Sequence, residues 1–153
     1  HATHVTADEL GLLAGSGATV CACPTTEANL GDGFLPAAEL LQRGIPVCIG
    51  SDSNTVVDPI LELREIEACA RRLVERRNVL VPPGDDGPSR YLLEIGTVNG
   101  ARALGLEAPV GEVEIDASHP YLQGVAEQDL RPALLFGGTA AALIPRPASK
   151  GSA

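Results

Sequence analysis

Asp52 is the residue of this chain best placed to do chemistry. It follows Ile45-Pro-Val-Cys-Ile49, a short apolar run set between Gly44 and Gly50-Ser51, which is the pattern of a strand buried on both faces. A carboxylate just past the carboxyl end of such a strand sits where α/β barrels and open parallel sheets collect their reactive groups. The opening residues, His1-Ala-Thr-His4, offer imidazoles in a comparable setting. A His and an Asp at strand ends suit metal-assisted hydrolysis. The carboxylate, bound to Zn²⁺, accepts the proton of an attacking water, and the imidazole holds that water or stabilises the oxyanion. Taken alone, Gly-Ser-Asp-Ser is equally a turn or helix-cap signal, and both histidines could be solvated.

Thr25 to Leu35, eleven residues between two apolar segments, reads as a loop longer than the roughly two to six residues usual in βα units. It lies at the same sheet end as Asp52. Its Glu27, Asn29 and Asp32, with Ser53 beside Asp52, are candidates for substrate contact, or else form Asx turns around Gly31 and Gly33. Cys21 and Cys23 alternate on a strand and share a face. A Cys-x-Cys metal site is conceivable, but no Cys/His pair of the usual spacing lies near. The four cysteines read as buried, reduced thiols of a cytoplasmic protein.

The elements that must hold these residues alternate. Thr6-Ala-Asp-Glu9 is a capping box opening a helix with Leu10, Leu12 and Leu13 on its apolar side, ended by Gly15 and Gly17. A strand over Ala18–Ala22 comes next. Pro36 suits the first turn of a helix carrying Leu40 and Leu41 as far as Gly44, and the strand to Ile49 follows. Asp58 to Arg77 is the longest helix, with Leu63, Ile66, Ala70 and Leu73 on one stripe. Its Glu67 and Arg71, spaced i,i+4, read as a solvated face. Val81 to Pro88 is turn-rich. Ser89 to Gly105 is helical with expected breaks at Gly96 and Gly100. Beyond Leu106 the pattern becomes short β-like pieces, and 145–153 reads as a flexible tail. Repeated βα units with glycine-closed helices mean an α/β fold with a parallel sheet covered by helices.

With 153 residues and 44% hydrophobic content, the chain can build one ordinary core. Aromatics are only 3%, so that core must be Leu, Val, Ile and Ala. A net charge of −9 argues against nucleic acid or an anionic membrane as partner. It leaves room for a small anionic substrate held by a local Arg. No apolar run approaches membrane-spanning length, and no signal-peptide pattern is present.

Three strings taken together are more specific than any one. His1-Ala-Thr-His-Val-Thr6, Cys23-Pro-Thr-Thr-Glu-Ala-Asn-Leu-Gly-Asp-Gly33 and Gly50-Ser-Asp-Ser-Asn54 resemble the amidohydrolase superfamily in its aminohydrolase branch. The second string and Leu63-Arg-Glu-Ile-Glu67 resemble the formimidoylglutamate deiminases within it, over roughly residues 1 to 105. The resemblance implies the C-terminal part of a (β/α)₈ TIM-type barrel over 1–105, with strands 6 to 8, and a remnant of a small β-sandwich over 106–144. It implies Zn²⁺ held by a His-x-His pair, a further His and an Asp. Asp52 matches that Asp, and His1 matches a His that assists catalysis more than it ligates. The other three ligands fall upstream of the strands that this chain resembles.

The implied reaction converts N-formimino-L-glutamate to N-formyl-L-glutamate and ammonia in histidine breakdown. Two alternatives stay open. One is a deaminase or chlorohydrolase of the same branch acting on a purine- or triazine-like substrate. The other is an inactive chain, or a subunit that completes a barrel. The implied partner is a small-molecule substrate, with a homodimer as the parent's expected assembly. Relatives carry a Gly-x-x-Ala-Asp-Leu-Val-like segment after the stretch matching Ala103-Leu-Gly105. Here Pro109-Val-Gly-Glu112 passes almost directly to Val113-Glu-Ile-Asp116, as if by deletion.

Overall fold

A computed structural model of the chain describes residues 1–53, 56–106 and 112–144. Asn54, the stretch 109–111 within the apparent deletion, and the expected tail at 145–153 lie outside the described residues.

The first helix, α1 (Ala7–Ser16), begins as its sequence predicts. The Thr6 side chain accepts from Glu9 N–H, and Glu9 Oε2 accepts from Thr6 N–H at 2.8 Å. Gly17, at φ 72°, closes it in the left-handed conformation that glycine adopts without a side-chain clash. Gly15 lies inside the helix and does not end it. Leu10 is buried, but Leu12 is exposed, so the expected apolar side is narrower than its leucines suggest.

Strands β1 (Val20–Ala22) and β2 (Val47–Ile49) are parallel, with Val20 opposite Val47, Cys21 opposite Cys48 and Ala22 opposite Ile49. Both are shorter than the apolar runs that predict them. β1 also corrects the expectation of four buried thiols, because its Cys21 is exposed while Cys23 and Cys48 are buried. Among the described residues this pair is the whole sheet.

The expected loop from Thr25 to Leu35 is in large part a helix, α2 (Pro24–Leu30). Pro24 takes the first helical position, where its missing N–H is no loss. The Glu27 carboxylate accepts from Cys23 N–H at 2.8 Å, and Gly31, at φ 66°, ends the helix. Helix α3 (Ala37–Gln42) follows, with Pro36 just outside it as N-cap.

Helix α4 (Pro59–Val74) is the organising element, packed on α2, α3 and β2 and on helices further along the chain. The Asp58 carboxylate caps it, accepting from Ile60 N–H at 2.8 Å and Leu61 N–H at 3.3 Å. Leu63, Ile66 and Ala70 are buried as expected, whereas Leu73 is exposed. The reason is that α4 ends one residue later and Glu75 turns left-handed at φ 52°.

Glu67 corrects the expected solvated face. It is fully buried, and its carboxylate accepts from Val79 N–H, Leu80 N–H and Arg71 Nε at 2.8–3.1 Å. It therefore satisfies backbone donors that the turn after α4 would otherwise leave without partners.

Helices α5 (Ser89–Gly96) and α6 (Val98–Ala103) meet at Thr97, while Gly100 continues α6 unbroken. Gly96 is required for contact, because a Cβ there would lie 3.0 Å from Leu63 Cδ1 on α4. Residues 112–144 are not the series of β-like pieces expected. They hold a 3₁₀ turn (Glu127–Asp129), helix α7 (Leu130–Gly137), a second turn (Ala140–Ala142) and one antiparallel bridge between Ile115 and Leu143. Arg64 of α4 fastens this segment by donating to the carbonyls of Leu135 and Gly138. Among the described residues, no helix is long and apolar enough to cross a membrane.

Candidate active site

His1, in the coil before α1, and Asp52, just beyond β2, lie together. Asp52 stands beyond β2 at φ 47°, a left-handed conformation in which a non-glycine residue is uncommon and which often marks a functional position. Its Oδ2 lies 3.3 Å from His1 Nε2. The other ring nitrogen, Nδ1, lies 3.0 Å from Glu27 Oε1. One imidazole thus bridges two carboxylates from two segments far apart in the sequence. Ala2, next to His1, also has a positive φ of 56°.

Glu27 is not on an open loop. It is 4% exposed on α2, and burial holds its carboxyl above the usual carboxylate range against the opposing hydrogen bond from Cys23 N–H. Asp32 sits behind it, accepting from Thr3 Oγ1 at 3.3 Å and facing His4 Nε2 at 3.5 Å. Asn29 is exposed on α2. Ser53 is exposed, with its hydroxyl donating to Asp52 Oδ1 at 3.3 Å. Of the four substrate-contact candidates, Ser53 touches Asp52 and Glu27 touches His1. Asp32 holds the residues after His1.

Cys23, weighed in the sequence only as half of a Cys-x-Cys pair with Cys21, instead meets His1 and Asp52. A His1 ring nitrogen, Cys23 Sγ and an Asp52 carboxylate oxygen all lie within 4.8 Å of one another. The place of Cys23 as the last residue before Pro24, at the end of β1, is the signal that points to this grouping. A nitrogen, a sulfur and an oxygen so placed are the donor types that bind zinc, so the residues present fit such an ion.

Burial, with lesser contributions from Cys21, Asp52 and Glu27, pushes the Cys23 thiol up to about 11. Cys48 rises to about 11 by burial and the neighbouring Cys21. Gly50 makes room for these sulfurs, because a Cβ there would lie 3.2 Å from Cys21 Sγ and 3.3 Å from Cys23 Sγ. A carboxylate and an imidazole at one metal-compatible point can accept and hold protons during attack of water on a carbon–nitrogen centre.

The chain as a whole is similar to known proteins. Residues 1–117 match the amidohydrolase family. The chain is 37% identical over 149 residues to formimidoylglutamate deiminase of Pseudomonas aeruginosa, an alignment covering 90% of this chain and 32% of that protein. It is 34% identical over 134 residues to the 5-methylthioadenosine/S-adenosylhomocysteine deaminase of Moorella thermoacetica, covering 80% of this chain and 30% of the relative. Among solved structures it superposes on an adenosine deaminase from Xanthomonas campestris with bound zinc. The TM-score is 0.79 at 25% identity, over 94% of this chain and 33% of that one. The E. coli guanine deaminase gives a TM-score of 0.72 at 19% identity, over 94% of this chain and 35% of that one, which shows likeness of fold alone. The chain spans about a third of the length of the curated relatives. On the match over residues 1–117 and these relatives, the chain belongs to the amidohydrolase superfamily, in its aminohydrolase branch.

Proposed function

We propose that this chain is the C-terminal portion of a zinc-dependent deaminase that hydrolyses a carbon–nitrogen bond of an amidine, with N-formimino-L-glutamate as its substrate. The observation that carries this is the approach of His1 Nε2 to Asp52 Oδ2 at 3.3 Å in a chain of the aminohydrolase branch. The identity to the Pseudomonas enzyme supports the substrate, and the similarly close methylthioadenosine deaminases support a purine-like one as the second reading. The proposal includes barrel strands over residues 1–105, a sandwich remnant beyond, and a cytoplasmic parent enzyme.

Asp52 would hold the metal, with the His1 imidazole and the Cys23 thiol next to it. A zinc ion, when bound, lowers the pKa of water and so supplies a strong nucleophile at neutral pH. Asp52 accepts the proton as water adds to the formimino carbon. The imidazole of His1 holds the adding oxygen through Nε2. A proton returned to the departing nitrogen releases ammonia, and the amidine HN=CH–NH–R becomes the formamide O=CH–NH–R.

The test is steady-state ammonia release by the full-length enzyme from N-formimino-L-glutamate, 5′-methylthioadenosine and guanine, with zinc measured on each preparation. Asp52→Asn keeps the shape and removes the base. It is expected to lower kcat by at least the roughly hundredfold that loss of a general base causes. Near-normal kcat with zinc present would make Asp52 a turn residue and end this reading. Turnover confined to a purine would replace the substrate while keeping the site.

A further inference from the structure

The carboxylate of Glu27 has more to do than start a helix. Accepting from Cys23 N–H is a capping role, and a neutral amide oxygen would serve it equally. Yet the same Oε1 lies 3.0 Å from His1 Nδ1, and Glu27 is only 4% exposed. A buried carboxylate is costly unless it is paired and hydrogen-bonded, and His1 is the partner that charge requires. The sequence also lays a second acid onto the same segment, because Asp32 meets Thr3 and His4. Two acids five residues apart, bracketing the end of α2, thus grip the first four residues.

We propose that Glu27 is a positioning residue, whose buried carboxylate keeps the proton of His1 on Nδ1 and turns Nε2 onto Asp52. This rests on the reading of His1 and Asp52 as the hydrolytic centre. The physical reason is the two-sidedness of imidazole. The hydrogen bond at one nitrogen decides which nitrogen carries the proton, and so what the other nitrogen can do. A carboxylate on Nδ1 also stabilises the imidazolium that forms whenever Nε2 takes a proton, and a neutral amide there cannot. It further selects one ring orientation, which the 43% exposed imidazole would otherwise not keep.

The experiment uses the full-length enzyme with Glu27→Gln, Glu27→Asp and His1→Asn. Ammonia release is measured from N-formimino-L-glutamate. Ring ¹⁵N resonances are recorded on histidine-labelled protein, the His1 signals being identified by their loss in His1→Asn. Glu27→Gln is expected to lower kcat about tenfold to hundredfold, with KM within about threefold, as befits a residue that acts through His1. A rise in KM with kcat kept would make Glu27 a substrate contact and overturn the proposal. The His1 ring should lose its Nδ1-protonated pattern in that variant. Glu27→Asp, which keeps the charge, should restore part of both.

A fall in kcat with unmoved ring resonances would make Glu27 a helix cap only and overturn the proposal. So would unchanged kcat in Glu27→Gln where His1→Asn is inactive, and in that case the reading of the site survives. If His1→Asn also keeps full activity, the reading of the site fails with it.

Discussion

A buried thiol ionises late, and Cys23 at the site and Cys48 on β2 are both buried. Cys23 and Cys48 are both pushed up to about 11 from an ordinary value of 9.0. Their thiolate fraction at pH 8 is therefore on the order of one in a thousand, and the thiolate is the reactive form. Because their folded values lie above the ordinary one, these thiols favour the folded state below about pH 9, and that contribution is lost as pH rises through about 11. Iodoacetamide labelling of the full-length enzyme, mapped by peptide mass, should leave Cys23 and Cys48 unmodified at pH 8. Labelling should then rise about tenfold per pH unit toward pH 11. Rapid labelling of Cys23 at pH 7 would show a thiolate already present there and remove the basis for this expectation.

Asp32→Asn should act differently from Asp52→Asn. It loosens the hold on Thr3 and His4 and is expected to alter KM more than kcat in the same ammonia assay. At this scale Asp52 stood out as a candidate because an apolar run and glycines announce the end of β2, whereas His1 was suggested by the resemblance of its string. The job of Glu27 was not legible. Its partner lies 26 residues away, and no local spacing encodes that contact.

At the scale of elements, the charges of α4 face inward as well as outward. Glu62 is buried and accepts from the backbone and hydroxyl of Thr25. Glu67 serves the turn at Val79–Leu80, Arg64 ties α7, and Arg71 lies 4.6 Å over the Phe136 ring. Glu67→Ala leaves two buried N–H groups and the Arg71 guanidinium without their acceptor. It should cost on the order of 3 kcal/mol. Arg72→Ala removes a 61% exposed partner of Glu65 and Cys69 and should cost under about 1 kcal/mol. Thermal midpoints of the two full-length variants decide this, and equal midpoints would mean that Glu67 is not structurally engaged.

Gly96→Ala tests the same packing from the other side. Leu63 is only 2% exposed and cannot move far from a new methyl, so a loss of roughly 1–3 kcal/mol is expected. The stripe Leu63, Ile66 and Ala70 was readable from its period, and the capping box at Thr6 from its spacing. Helix α2 was misread because its seven residues are too few to display a period. Its only signals are Pro24 at the start and Gly31 at the end. Helix α7 was hidden by Pro132 within its first turn, which reads as a break although the first turn tolerates it.

Across the whole molecule, the sheet is the least complete part. Val20 N–H donates to Pro46 O, and Gly50 N–H donates to Ala22 O, both at 2.9 Å. Residues 46 and 50 therefore bond toward β1. By alternation the Val47 carbonyl points to the opposite edge, where Asn99 Nδ2 of α6 donates to it at 2.9 Å. That single side chain covers one point of one edge. Among the described residues no strand pairs with the outer edge of β1. Cys21 lies open on the sheet face, and Leu12, Leu30, Val57 and Leu104 are each at least 72% exposed.

Unpaired edges of parallel strands are templates for non-native pairing. The charge of −9 opposes association only within a Debye length of about 8 Å at physiological salt. Parallel pairing was legible from the alternation of apolar runs and helices. The open edges were legible only through the resemblance to part of a barrel, because a strand's neighbours are fixed by topology and leave no mark in its own residues. The 153-residue chain expressed by itself is therefore expected to self-associate, to bind a hydrophobic dye and to show poorly dispersed amide resonances. It should gain order when a polypeptide carrying the remaining length of the family fold is co-expressed with it. Sharp, dispersed amide resonances and a single cooperative thermal transition in the isolated, monomeric chain would show that α4 and its neighbours suffice to hold two strands, and would overturn this expectation.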